Sequence, residues 1–177
     1  MSTRIEIRKA VPADAPAACS LLRRSIEECR QDDHGNCPQV LGSWLGNKTP
    51  STVSAWFSTP SNFALVAESE GQLVGMALLT QAGKVALCYV LPEALRCGVG
   101  RALLGALEDQ ARAWSIGKLY LHSPAGASSF FERHGYLNAG KEKSCFGLEC
   151  DLLWKRMDGA CEAEAGGARK RFCNCSG

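Results

Sequence analysis

The residues best suited to chemistry lie in Arg96-Cys97-Gly98-Val99-Gly100-Arg101-Ala102-Leu103-Leu104. The segment follows an apolar run over 85–91 and opens the most regular helical pattern in the chain. A strand, a glycine loop and a helix N-terminus in succession make a place for an anion. The first N–H groups of a helix have no internal partner, and the helix dipole puts partial positive charge there. Glycines at 98 and 100 allow a phosphate to approach the main chain closely. After Glu93 the next acid is Glu108, so no carboxylate opposes an anion at that end. The chemistry implied is the binding of a pyrophosphate.

Those residues need elements to hold them. Residues 62–68 and 73–80 read as strands around the tight turn Glu70-Gly71, a hairpin, and 84–91 completes an antiparallel meander. The helix after Gly98 places Val99, Leu103, Leu107, Ala111 and Trp114 on one face. Glu108 and Arg112 pair outside it, and Gly117 is expected to end it. Residues 118–122 form the next strand, parallel to 84–91, because a strand–helix–strand crossover runs parallel. Ser123 reads as a cap and Pro124 as the first position of a helix that Gly135 closes, followed by strands at 136–139 and 145–155. Upstream, residues 3–8 alternate as a strand. Asp14 caps a helix whose apolar stripe is Ala18, Leu21, Leu22, Ile26 and Cys29. Residues 30–38 are polar and turn-rich, with short helices expected around 40–45 and 52–57. The class is α+β: six to seven strands, mostly antiparallel, flanked by helices in one domain over 1–157. Residues 158–177, with almost no large apolar side chain, read as a disordered tail.

The bulk composition sets outer limits. At 177 residues and 46 % hydrophobic, the chain has material for one real core. A net charge of +2 is too mild to imply a nucleic-acid partner. No apolar run approaches a membrane span or a signal-peptide core, which makes the cytoplasm the expected compartment. The ten cysteines lack a CxxC pair; Cys19, Cys29 and Cys88 fall on apolar faces and read as small hydrophobes. Cys173-Asn174-Cys175 has no histidine nearby, and no metal site is expected.

The order of elements, with these residues, resembles the GNAT superfamily of N-acetyltransferases over residues 4–156, most closely over 63–139. Val66-Ala-Glu-Ser-Glu-Gly-Gln-Leu-Val-Gly75 is similar to that family's central hairpin. Tyr89-Val-Leu-Pro-Glu93 followed by Gly98-Val-Gly-Arg-Ala-Leu-Leu104 resembles its acyl-CoA pyrophosphate motif. Leu95 stands where that motif usually has Gln or Arg, with Arg96 one place later. Ser123-Pro-Ala-Gly-Ala-Ser-Ser-Phe-Phe-Glu-Arg-His-Gly-Tyr136 matches the last helix. The resemblance implies that strands 84–91 and 118–122 splay apart at their C-terminal ends. The pantetheine arm of acetyl-CoA would lie in the gap, hydrogen-bonded to the main chain of Val90 and its neighbours. The loop Arg96, Cys97, Gly98, Val99, Gly100 and Arg101 would hold the pyrophosphate, mainly through amides. Ser123 occupies the pantetheine-contacting position, and Phe130 and Phe131 would flank the arm.

The implied reaction moves an acetyl group from acetyl-CoA to a primary amine. It needs a neutral, oriented amine, a stabilised oxyanion and a proton for the departing thiolate. Here the chain departs from the family, because the usual tyrosine acid is Phe131 and the carboxylate base on strand 84–91 is missing. Tyr89 and His122 remain as the ionisable groups nearest the splay, each also readable as a packing or hydrogen-bonded residue. Ser123, Ser128 and Tyr136 are alternative hydroxyls acting through water. Glu93 reads as solvent-facing, and His34 as a solvated loop residue or part of the acceptor site. Trp44, Trp56 and Phe57 form either core or an aromatic wall. The acceptor is a small-molecule or peptide amine, and oligomeric state stays open, a homodimer included. The competing function is an acyl-CoA-binding module with little or no transferase activity.

Overall fold

The computed structural model describes residues 4–144 and 147–157. The expected tail at 158–177 lies outside them, as does Cys145. In chain order the elements are β1 (Ile5–Lys9), α1 (Ala15–Cys29), α2 (Gln31–His34), α3 (Pro38–Leu45), α4 (Pro50–Ser58), β2 (Asn62–Ser69) and β3 (Gln72–Thr80). β4 (Val85–Val90), α5 (Val99–Ala113), β5 (Lys118–Pro124), α6 (Ala125–Arg133), β6 (Leu137–Lys143) and β7 (Glu149–Arg156) follow. The strands form two antiparallel sheets, β1-β2-β3-β4 and β5-β7-β6.

The hairpin β2–β3 turns at Glu70 and Gly71, with φ of 52° and 80°. Two positive values in a two-residue turn match the twist of the flanking strands. One parallel bridge joins the sheets, Lys84 to Tyr120, where the Tyr120 N–H donates to the Gly83 carbonyl at 3.0 Å. Gly83 is required there. Its φ is +88°, and a Cβ would lie 2.6 Å from the Lys118 carbonyl oxygen. Among the described residues no further bridge links β4 to β5, so a gap opens between them toward their C-terminal ends, as expected.

Beside the gap, Leu78 pairs with Leu87 but Leu79 pairs with Val85, so Ala86 is an extra residue on β4. The bulge reverses the alternation of side chains, since a one-residue slip flips a strand's faces. Val85, Cys88 and Val90 therefore pack with α5, whereas Leu87 and Tyr89 pack on the opposite face toward α1. On that face, the α1 stripe of Ala18, Leu21, Leu22 and Ile26 is at most 3 % exposed. On the other, Val99, Leu103, Leu104, Leu107 and Ala111 of α5 are buried at 1 % or less.

Several local expectations are corrected. α5 ends near Trp114, with Ser115 at φ 57°, and not at Gly117. Glu108 does not pair with Arg112, which bonds Asp109 at 3.1 Å. Glu108 is buried instead, accepting from Tyr136 Oη at 3.2 Å and Lys155 Nζ at 3.0 Å. Asp14 does not cap α1. It accepts from the Val11 N–H and binds Arg8 through both oxygens, at 2.8 and 2.9 Å. Residues 31–34 form a short helix, and His34 is buried inside it at 3 % exposure. β6 runs to Lys143, past the expected 139, because a bulge around Gly140 (φ 121°) keeps the ladder going.

Candidate active site

The glycine loop has the backbone an anion site needs. Arg96 (φ 61°) and Gly98 (φ 83°) are left-handed, which swings the chain sharply into α5. A left-handed arginine is uncommon and costs on the order of 1–3 kcal/mol, and such strain gathers at functional sites. No side chain caps α5 and no acid stands in its first turn. Its first internal bond is Ala102 N–H to Gly98 C=O, at 3.0 Å. The N–H groups of Val99, Gly100 and Arg101 thus precede the helical ladder. Arg96, Cys97, Gly98 and Arg101 are exposed. The Val99 side chain is buried beneath Gly75.

The two glycines serve different needs. A Cβ on Gly98 would meet no atom within 4 Å, so space stands open above a left-handed residue. A Cβ on Gly100 would lie 3.1 Å from the Phe130 ring, so this glycine admits α6 rather than a phosphate. Glu93, on the preceding turn, is clamped by Arg24 at 3.0 and 3.2 Å. That guanidinium holds its carboxyl below the usual range and offsets its charge near the loop.

The gap itself is a cleft of about 40 Å³ whose lining includes Arg30, Cys88, Tyr89, His122, Ser123 and Phe131. The Leu91 N–H donates to the Val74 carbonyl at 2.9 Å. By ladder alternation, the main-chain groups of Cys88 and Val90 then point away from β3 and toward β5. The Val90 carbonyl is taken by the buried Ser25 hydroxyl at 2.9 Å, so Val90 offers the cleft a donor rather than an acceptor.

The two ionisable candidates share this cleft. The neighbouring Trp44 side chain favours the phenolate of Tyr89, but burial outweighs it and pushes the phenol up to about 12. His122 lies on the α1-facing side of β5, and its Nε2 is 2.7 Å from Glu142 Oε2. With Nε2–H donated to that carboxylate, Nδ1 carries the lone pair that accepts a proton. Glu142 escapes a reading of the sequence. It lies 20 residues away on β6, and only the register Glu142–Cys150–Pro124 brings it beside β5.

Ser123 and Phe131 line the cleft as expected, while the other expected side chains are engaged around it. The Ser123 hydroxyl is fully buried and donates to its neighbour's carbonyl, Pro124 O, at 2.9 Å, without capping α6. Ser128 donates to Asp151 at 2.5 Å. Tyr136 donates to Glu108 in the core beneath α5, where burial pushes its phenol up. The Phe131 ring, 6 % exposed, packs edge-on against Tyr136, and Phe130 lies against Gly100. His34 Nδ1 accepts from Asn36 N–H at 3.0 Å while Nε2 faces the Ile26 carbonyl at 3.2 Å, a structural ring. Trp44 is core, and Trp56 and Phe57 pack against the α1 cluster. Among the described residues no group of His, Cys, Asp and Glu could hold a metal, and no helix is long and apolar enough to cross a membrane.

Comparison with known proteins agrees with this geometry. A search of curated proteins found no match. Among solved structures, a GCN5-related N-acetyltransferase from Rhodopseudomonas palustris superposes with a TM-score of 0.79 at 23 % identity, over 88 % of this chain and 98 % of that one. The PaiA N-acetyltransferase of Thermoplasma acidophilum, in complex with coenzyme A, gives 0.71 at 19 %, over 86 % and 99 %. YncA of Salmonella typhimurium, a putative acetyltransferase with its cofactor acetyl-CoA, gives 0.67 at 20 %, over 93 % and 100 %. At such identities these establish the fold. The family model of the GNAT acetyltransferase domain matches residues 44–150, from α3 through the glycine loop and the cleft to β7. By that match the chain belongs to the GNAT acetyltransferase family.

Proposed function

We propose that this protein is an N-acetyltransferase that uses acetyl-CoA to acetylate a primary amine. The observation that carries the reading is the cleft, which pairs an outward-facing strand edge with the His122–Glu142 couple. The chain's own groups fit the cosubstrate: uncapped α5 amides and open space at Gly98 for a pyrophosphate, outward N–H groups of Cys88 and Val90 for the arm. When bound, acetyl-CoA supplies an activated acetyl thioester. The cleft's donors suit an oxygen that gains negative charge, since preorganised N–H groups act without reorganisation.

His122 removes the proton from the attacking amine at Nδ1, while Glu142 holds the ring and stabilises its protonated form. A base so placed contributes about 10²- to 10⁴-fold. Tyr89 keeps its proton at neutral pH because its phenol is held at about 12. Its O–H, which lines the cleft, is the group that protonates the leaving sulfur. The burial of Phe131 supports the competing reading, a CoA-binding module without turnover, because the family's usual acid position is closed off. Thiol release from acetyl-CoA across a panel of amines decides between them. Turnover on any amine is expected. Tight CoA binding with no thiol released by any amine would overturn the transferase reading.

A further inference from the structure

We propose that the acceptor is an amine carrying a carboxylate, and that Arg30 binds that carboxylate. The inference rests on the transferase reading above and specifies its acceptor. Arg30 caps the C-terminal end of α1 and lines the cleft beside Tyr89 and His122. Its side chain is 21 % exposed, yet among the described residues its guanidinium donates no hydrogen bond. The nearest carboxylate oxygen, Asp33 Oδ2, lies 3.9 Å away, beyond hydrogen-bonding range. Asp33 is already committed, since its Oδ1 accepts the Gly126 N–H at 3.0 Å and so occupies the first turn of α6.

A guanidinium has five donors in a planar fork matched to a carboxylate. Arg30 lines the cleft with those donors unspent on hydrogen bonds within the protein, so they stand open to a ligand's carboxylate. Asp33 and α6 fix its position without consuming it: a Cβ on Gly126 would lie 3.0 Å from Asp33 Oδ2 and 3.4 Å from Arg30 Nη1. Its place also separates it from the cosubstrate's phosphates. Arg30 belongs to α1, which packs on the Tyr89 face of β4, whereas α5 and its glycine loop pack on the Cys88 face. The same face carries His122, so a carboxylate on Arg30 would hold its amine on the side of the base.

The test compares amino acids with their carboxamides and decarboxylated amines as acceptors, in wild type, Arg30→Gln and Arg30→Lys. In parallel, N-acetyl amino acids and their amides are titrated calorimetrically onto the CoA-saturated protein. Wild type is expected to prefer the carboxylate-bearing member by about 10- to 100-fold in kcat/KM. Arg30→Gln is expected to erase that preference through KM, with the KM for acetyl-CoA unchanged, and Arg30→Lys to restore part of it. Turnover that ignores the carboxylate would overturn the proposal while leaving the transferase reading intact. Arg30-dependent binding of N-acetyl amino acids without turnover would sustain the carboxylate site and sink the transferase reading. Failure of wild type both to bind and to acetylate any carboxylate-bearing ligand would also overturn it.

Discussion

At the scale of single residues, the proposed mechanism divides its two proton transfers between groups of opposite character. His122 is a half-buried imidazole tied to a carboxylate; Tyr89 is a phenol that burial keeps protonated. His122→Gln should lower kcat by about 10²- to 10⁴-fold, and Glu142→Gln by a smaller factor, both with the KM for acetyl-CoA unchanged. Steady-state kinetics at saturating acceptor measures this, and a His122→Gln enzyme with full kcat would remove the ring from the mechanism. Tyr89 makes a second expectation about stability. Its folded value of about 12 lies above the ordinary 10, so its contribution is complete below pH 10 and is lost as pH rises toward 12. Urea melts of wild type should therefore weaken between those limits, and those of Tyr89→Phe should weaken less; parallel curves would refute the assignment. Both residues were legible in the sequence as neighbours of a strand end. Glu142 and Arg30 were not, because no local spacing connects them to the strands they serve. Arg30 sat in a polar run that read as solvated turn.

At the scale of elements, glycine does three separate jobs that one motif reading merges. Gly98 is left-handed under open space, Gly100 makes room for Phe130, and Gly83 lets the two sheets touch. The substitutions should part accordingly. Gly98→Ala keeps the space but strains the backbone, costing about 1–2 kcal/mol in stability. Gly98→Asp adds a carboxylate to the anion seat and should abolish CoA binding with the fold intact. Gly83→Ala drives a methyl against the Lys118 carbonyl and should destabilise the whole molecule without altering the loop's chemistry. Calorimetric titration with CoA beside thermal melts separates these outcomes, and unchanged CoA affinity in Gly98→Asp would remove the loop from cofactor binding. The hairpin, α5 and α6 were legible because their periodicity and turn residues are local signals. The Ala86 bulge was not, since a slip of one residue against β3 is a property of pairing. Missing it obscured that Val85 and Cys88, three residues apart, look to the same side of the sheet.

At the scale of the whole molecule, the fold is two sheets held by one parallel bridge and a shared apolar cluster beneath α5. That cluster runs from Leu65 and Ala77 on one sheet to Leu119, Leu121 and Leu153 on the other, with Leu103 and Leu107 between them. The α+β class could be read from the order of elements, and the opened strand pair only through the family that the order resembles. The parallel bridge between the sheets depends on Gly83 facing the Lys118 carbonyl, which no window of sequence displays. The arrangement leaves the outward groups of Cys88 and Val90 without a ladder partner on β5, on the edge where an extended arm would add as a strand does. A ligand lying there contacts both sheets at once, and it stabilises the native state by mass action whether or not chemistry follows. At a hundredfold excess over its dissociation constant, CoA should add about 2.7 kcal/mol, which raises Tm by roughly 5–10 °C for a chain of this size. Hydrogen exchange should locate the gain, with slower exchange at the amides of Val90 and of the first turn of α5. Protection confined to α5 would show that the pyrophosphate binds while the cleft stays empty, and the strand-edge reading of Val90 would then be wrong.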